Sequence, residues 1–327
     1  MKAIVYHDYG PPDVLRCEEV EKPVPGDDEV LIRVRAAAIN PLDAHLMRGR
    51  PYLARLALGL RRPRTARPGR DVAGDVESVG KSVTGFKPGD AVFGACRGAL
   101  AEYACAPQSS LAAKPANMSF EQAASVAVAG LTALQGLRDK GRLEAGQKVL
   151  VNGAAGGIGT FAVQIAKAFG AEVTAVCRAD AADLVRSIGA DRVVDYAKED
   201  FTRSGERYDL ILDAVGNLSL PACRRSLTPD GILVAAGGGV GPHPPRLGRL
   251  ATRLIGGLLL SLFGRRKMVV VVARMRQEDL NVLRGLMEAG KVAPVIDTRY
   301  GLGEVPDAVR HVMAGHARGK VVVSLEA

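Results

Sequence analysis

The chain has 327 residues, enough for two domains, and its 47% hydrophobic and 24% charged content is that of a globular protein with a substantial core. Tryptophan is absent and aromatics make up only 4%, which argues against an aromatic platform for stacking nucleic acid bases. Five scattered cysteines, with no CxxC pair, argue against a disulfide framework or a cysteine-rich zinc lobe.

That cysteine pattern makes a reducing, cytoplasmic compartment the expectation, and the opening Met1-Lys-Ala-Ile-Val-Tyr6 reads as a strand and lacks the long apolar segment of a signal peptide. Short apolar runs follow at 3–6, 30–38, 72–79 and 91–94, broken by turns such as Pro23-Val-Pro-Gly26 and Lys87-Pro-Gly-Asp90. This texture predicts a compact β domain. It changes at Ser119-Phe-Glu-Gln122, a capping box that announces a helix. Beyond it, predicted strands at 149–152, 172–177, 192–195, 210–214 and 232–236 alternate with predicted helices at 160–169 and 181–188. That rhythm implies a parallel, doubly wound sheet. A further strand is expected at 268–273, a helix at 277–289 and a last strand at 320–325.

The most telling stretch is Val149-Leu-Val-Asn-Gly-Ala-Ala-Gly-Gly-Ile-Gly159, an apolar strand turning through glycines into a helix. Such a turn leaves backbone N–H groups unpaired at the helix start, with the helix dipole behind them, and predicts a pyrophosphate site. Gly156 and Gly157 let the backbone approach the phosphates, and Gly159 lets the helix pack on the strand.

The net charge of +9 is unevenly placed. No acidic residue lies between Asp43 and Asp71, where Arg48, Arg50, Arg55, Arg61, Arg62, Arg64, Arg67 and Arg70 stand. None lies between Asp230 and Glu278, where Arg246, Arg249, Arg253, Arg265, Arg266, Lys267, Arg274 and Arg276 stand. Outside these windows the balance is −7. Local fields of this kind attract anions, acidic membrane surfaces or nucleic acid, and solvated arginine loops are the plain alternative. The second window also holds the uncharged run Leu254-Ile-Gly-Gly-Leu-Leu-Leu-Ser-Leu-Phe-Gly264, too short to cross a bilayer. It reads as a buried or dimer-facing helix or as an interfacial one.

Taken in order, several segments resemble the medium-chain dehydrogenase/reductase superfamily and, within it, the zinc-free quinone oxidoreductase branch. They are Met1-Lys-Ala-Ile-Val-Tyr6, Val30-Leu-Ile-Arg-Val-Arg-Ala36, Ile39-Asn-Pro-Leu-Asp43, Pro68-Gly-Arg-Asp-Val-Ala-Gly74 and Phe86-Lys-Pro-Gly-Asp-Ala-Val-Phe-Gly94. The series continues with Gly130-Leu-Thr-Ala133, Ala155-Gly-Gly-Ile-Gly159, Gly189-Ala-Asp191, Val194-Asp-Tyr196 and Gly319-Lys-Val-Val-Val323. The resemblance implies an α/β fold with a GroES-like substrate domain (1–122 and 290–327) and a Rossmann dinucleotide-binding domain (123–289), with the active site in the cleft between them. It implies no zinc: zinc-dependent members carry Cys where Asn40 stands, His where Arg70 stands and a third ligand near Val128.

NADPH is expected over NADH, because Val176-Cys177-Arg178 ends the second Rossmann strand without a carboxylate, and Arg178 suits a 2′-phosphate. Asp180 weighs the other way, since relatives often carry a basic residue there. By resemblance Tyr196 and Asn217 lie along the adenosine and ribose, and Thr132 with Ala235, Ala236 and Gly237 at the nicotinamide. Each of them also has a purely structural reading. Asn40 and His45 face the nicotinamide in relatives. They are the candidate catalytic and cofactor-contacting residues, Asn40 as a donor to a developing oxyanion and His45 as a proton source near neutral pH or a satisfied loop histidine. Asp43, more a structural acceptor than a base, and Tyr52 are the expected substrate-pocket residues.

The expected reaction is NADPH-dependent reduction of quinones or related electron-poor, lipophilic acceptors. Reduction of activated C=C bonds in enals, enones or enoyl thioesters is the alternative. A cofactor-binding protein acting through a basic, membrane-associating surface is a third reading. Both arginine windows lie near the cleft mouth in relatives, so peripheral contact with an anionic membrane is expected and nucleic acid is not. Val269-Val-Val-Val272 suits an edge strand, and the relatives' mode of pairing implies a homodimer, with burial inside one chain as the alternative.

Overall fold

Valine-, isoleucine- and alanine-rich runs bounded by glycine and proline set the strands. The structure, a computed structural model, describes residues 1–50, 52, 55–64, 66–237 and 267–325. These form two compact units. The first comprises Met1–Val128, Met275–Glu288 and Pro294–Ala327; the second comprises Ala129–Arg274 and Ala289–Ala293.

In the first unit β1 (Lys2–Val5) pairs antiparallel with β2 (Arg16–Glu19). The long β3 (Glu29–Ile39) ends in a stretch buried on both faces, where Ala36, Ala37 and Ala38 leave room for close neighbours. Two helices follow it, α1 (Pro41–Arg48) and the single turn α2 (Arg55–Leu58). The chain then runs through β4 (Asp71–Val79), β5 (Ala91–Ala95), β6 (Tyr103–Pro107) and β7 (Leu111–Ala113). The expected capping box is present at α3 (Phe120–Ala124): the Gln122 N–H donates to Ser119 Oγ at 3.2 Å, and the Ser119 N–H donates to Gln122 Oε1 at 3.0 Å. Next comes α4 (Ala127–Gln135), which from Ala129 on belongs to the second unit.

The second unit holds β8 (Lys148–Asn152), α5 (Gly157–Ala168), β9 (Glu172–Cys177), α6 (Ala182–Ser187) and β10 (Arg192–Asp195). It continues with β11 (Tyr208–Asp213), α7 (Leu220–Ser226), β12 (Leu227–Ala235) and β13 (Lys267–Val270). The sheet order is β10-β9-β8-β11-β12-β13, parallel throughout. This is the doubly wound Rossmann arrangement, whose strand order reverses beside the first strand. Val149, Leu150 and Val151 are fully buried, which is why a parallel strand reads as a continuous apolar run.

The chain ends with α8 (Gln277–Glu288), β14 (Ile296–Gly301), α9 (Val305–Ala314) and β15 (Lys320–Ser324). β15 pairs with β14 and lies antiparallel to β3, with Val321 opposite Ile39. The sheet thus runs β14-β15-β3-β4-β5-β7, with β6 also on β3. The division into units differs from the expected domain bounds at several points. The helix at 277–288 belongs to the first unit, not to the dinucleotide domain, because it packs near β7 and accepts a 3.0 Å hydrogen bond from Asn117 Nδ2 at the Met287 carbonyl. The apolar run at 254–264 and Arg246, Arg249, Arg253, Arg265 and Arg266 lie outside the described residues. Among the described residues, no helix is long and apolar enough to cross a membrane.

Candidate active site

In the second unit the candidate cofactor-binding residues of the glycine turn, Arg178, Asn217 and 235–237 lie at or just beyond the carboxyl ends of the parallel strands, where doubly wound sheets bind ligands. β8 ends at Asn152, the chain turns at Gly153 (φ +84°), and α5 begins after its N-cap Gly156. A Cβ on Gly159 would sit 2.1 Å from the Gly153 carbonyl oxygen, so only glycine permits this contact between turn and helix. A Cβ on Gly156 would meet nothing closer than 3.5 Å, so that side of the turn is open. Ala155, Gly156, Gly157 and Ile158 are half-buried at the helix start, where the first-turn amides favour an anion.

A polar cluster braces the next crevice. Asp213, fully buried at the end of β11, accepts at Oδ1 from the Gly216 N–H (2.8 Å), the Val215 N–H (3.2 Å) and Asn152 Nδ2 (2.9 Å). Asn152 Nδ2 also donates to Asn217 Oδ1 at 2.8 Å. Asn217, expected beside the ribose, is thereby held against the end of β8. Sequence reasoning passed over Asn152 and Asp213; the available signal was one polar residue closing each of two apolar runs. At the end of β12 the Ala236 N–H donates to the Asp213 carbonyl at 3.0 Å. A Cβ on Gly237 would lie 2.3 Å from the Ala214 carbonyl, so the 235–237 backbone hugs the same crevice. Thr132 lies buried in α4.

On the other side of β8, Asp195 of β10 stands opposite Cys177 of β9, and the Tyr196 N–H donates to the Cys177 carbonyl at 3.2 Å. Cys177 is buried, and burial, with Asp195 and Asp180 adding, pushes its thiol up. Arg178 and Tyr196 emerge side by side, both more than half exposed. Arg178 Nε lies 3.8 Å from Asp180 Oδ1, an exposed pair that leaves the guanidinium largely solvated.

In the first unit the expected catalytic segment is not a loop but α1. Asp43 Oδ2 accepts from the Asn40 N–H at 2.8 Å and Oδ1 from the Gly69 N–H at 3.3 Å. Asp43 is therefore a buried structural acceptor, and burial, followed by the charge of Asp71, pushes its carboxyl up to about 6. Asn40 is 3% exposed. Its Nδ2 donates to Asp71 Oδ2 at 2.9 Å, and its Oδ1 accepts from Lys320 Nζ at 2.6 Å. Lys320 also reaches Asp71 Oδ2 at 2.9 Å, and Asp71 Oδ1 accepts from the Val128 N–H at 2.8 Å. The expectation of Asn40 as a free oxyanion donor is corrected accordingly: its amide is committed to this network, and its second N–H has only the Ala38 carbonyl at 3.5 Å. Lys320 and Asp71 were not anticipated as functional, because nothing local marks a lysine in a valine strand as buried.

His45 lies half-buried in α1, and its ring makes no hydrogen bond among the described residues. Burial, with Arg48 adding, pulls its pKa down, which disfavours the charged imidazolium. That direction weighs against the expected proton source and favours the ring N–H as a donor. Tyr52 is 61% exposed, its ring flanked by the guanidinium groups of Arg50 and Arg55 at 5.5 and 5.0 Å.

Known families cover most of this architecture. A model of the alcohol dehydrogenase GroES-like domain matches residues 26–116, and one of zinc-binding dehydrogenases matches residues 188–323. Over 99% of its length the chain is 32% identical to the chloroplast envelope quinone oxidoreductase homolog of Arabidopsis thaliana, of which it covers 98%. It is 35% identical, again over 99% of its length, to the NADPH-dependent alkenal/one oxidoreductase of the same plant, of which it covers 79%. Among solved structures, the quinone oxidoreductase of Coxiella burnetii matches with a TM-score of 0.84 and 28% identity, over 100% of this chain and 99% of that one. With the Rossmann sheet, the GroES-like unit and near-complete coverage of relatives above 30% identity, the chain belongs to the medium-chain dehydrogenase/reductase superfamily, in its quinone-oxidoreductase-like branch.

Proposed function

We propose that this protein is an NADPH-dependent reductase that transfers hydride to quinones or related electron-poor acceptors without zinc. The observation that carries the reading is the strand-to-helix turn of the second unit, with Arg178 exposed at the end of the neighbouring strand. The bound nucleotide supplies the hydride, and the protein's task is to hold, orient and shield. The first-turn amides of α5 suit the pyrophosphate, and Arg178 suits the 2′-phosphate. Tyr196 and Asn217 flank the adenosine and ribose; Thr132 and the 235–237 backbone serve the nicotinamide end. His45 donates its ring N–H to the oxyanion that forms on the acceptor.

The absence of zinc is supported by the chemistry of the donors. Position 40 is an amide, position 70 is an arginine, and the Lys320 ammonium already satisfies Asn40 and Asp71 at hydrogen-bonding distance. A divalent cation would have to displace a buried like charge. A homodimer is supported by β13 at the sheet edge, where Val270 is 49% exposed and Val272, just beyond the strand, is 78% exposed. A cytoplasmic location fits five free cysteines.

Reduction of activated C=C bonds is the second reading, favoured by the identity with the alkenal/one oxidoreductase. NADPH oxidation with a panel of 1,4-quinones and 2-alkenals tests both. Turnover with quinones supports the first reading, and turnover with alkenals alone transfers the assignment to the second. NADPH binding without turnover of either class refutes both.

A further inference from the structure

The stretch after α1 has its polarity inverted. Tyr52, Leu56 and Leu60 lie close together in the chain, Leu56 within α2 and Leu60 just beyond Gly59 (φ +115°). They are 61%, 66% and 67% exposed. Large apolar side chains turned to water are normally scattered singly; here an aromatic ring and two leucines are exposed in one short stretch. The groups around it are cationic. Arg61, Arg62 and Arg64 are exposed, and no acidic residue occurs between Asp43 and Asp71. Arg62 meets Asp8 at 3.3 Å, whereas Arg61 and Arg64 have no carboxylate partner among the described residues.

We infer that the exposed Tyr52, Leu56 and Leu60 and their arginine border form a docking surface for a bilayer containing anionic phospholipid. Guanidinium groups pair with lipid phosphates in a bidentate manner, and a basic border is drawn to an anionic leaflet. Two leucines and a tyrosine are the side chains that insert at the boundary between headgroups and acyl chains. A nucleic acid would use the arginines but has no place for the leucines. An acidic protein partner would use both less fully, since the apolar tip is narrow. The surface lies wholly within the first unit and does not depend on the reductase reading.

The test is co-sedimentation of the full chain with vesicles of phosphatidylcholine alone or mixed with phosphatidylserine, in low and high salt. Binding to the mixed vesicles is expected to exceed binding to the neutral ones by about tenfold and to weaken with salt. Leu56→Ser/Leu60→Ser and, separately, Arg61→Ser/Arg64→Ser are each expected to lower it about tenfold. Unchanged circular dichroism and melting temperature would show that these exposed substitutions leave the fold intact. Negligible binding to both vesicle types overturns the inference. So does binding that survives both double substitutions, or retention on nucleic acid without retention on vesicles.

Discussion

Lys320 and Asp71 form an ion pair of 2.9 Å whose side chains are 3% and 0% exposed, although 249 residues separate them. The lysine enters from the last strand and the carboxylate from β4, while Asn40, between them on the sheet, bonds both. Removing one partner of a buried pair leaves the other charge uncompensated, which costs more than the pair itself contributes. Lys320→Met is expected to destabilise the protein by about 3–5 kcal/mol. Asp71→Asn added to it should recover part of that loss, because the carboxylate left without its ammonium is then removed. Urea unfolding of both variants measures the difference. Equal stability of the single variant and the parent would mean the pair is solvated.

The same network holds two carboxylates and one ammonium, and the excess negative charge falls on Asp43. Burial, with Asp71 adding, raises its carboxyl to about 6, while N–H donation from Asn40 and Gly69 and the charge of Lys320 pull the other way. In the unfolded chain an aspartate titrates near about 3.9. The folded protein therefore binds this proton more tightly. The stability it contributes is full below about pH 4 and is lost as pH rises through about 6, a change of about 3 kcal/mol. Asp43→Asn cannot titrate. The stability of the parent relative to Asp43→Asn is thus expected to fall by that amount between about pH 4 and pH 7, as read from urea midpoints at each pH. A difference that stays constant over the range would show Asp43 ionised throughout.

Much of this was legible in the chain. Parallel strands covered on both faces advertise themselves as unbroken apolar runs, so β8, β9, β10 and β11 were found nearly to the residue. The glycine turn was legible because Gly159 has no substitute where its Cβ would strike the Gly153 carbonyl. The helix α1 was not. Eight residues opening on Pro41 carry too little apolar periodicity, and the Asn40–Asp43 bond that starts the helix is one that turns also make. Lys320 was invisible as a site residue because its partners are 249 and 280 positions away. Asp213 and Asn152 stood in plain view as strand ends, but only the sheet register brings them together.

Arg178 makes the choice between the two pyridine nucleotides testable. Its guanidinium is half exposed beside Asp180 and follows β9 directly, where an enzyme selecting NADH usually carries a carboxylate. A charge-assisted bond to a phosphate contributes about 1.5–3 kcal/mol, equivalent to roughly 10- to 150-fold in affinity. Arg178→Gln is expected to weaken NADPH binding within that span and to leave NADH binding unchanged, as measured by calorimetry. Parallel losses for both nucleotides would place Arg178 in the general architecture of the rim rather than at the 2′-phosphate.

Gly159 tests the turn itself. An added Cβ would lie 2.1 Å from the Gly153 oxygen and 2.6 Å from the Ala154 Cα, both backbone atoms that cannot rotate away. The helix must then shift from the strand end, moving the first-turn amides with it. Such overpacking typically costs about 1–3 kcal/mol, less than the stability of an ordinary domain, so the variant should fold. Gly159→Ala is accordingly expected to retain a cooperative melt at reduced temperature while losing affinity for NADPH and NADH alike. Gly156→Ala, where the nearest atom is 3.5 Å away, is expected to melt as the parent does and to weaken binding only by crowding the phosphates. A Gly159→Ala protein that binds nucleotide with parental affinity would separate this turn from the cofactor and undo the assignment of the rim.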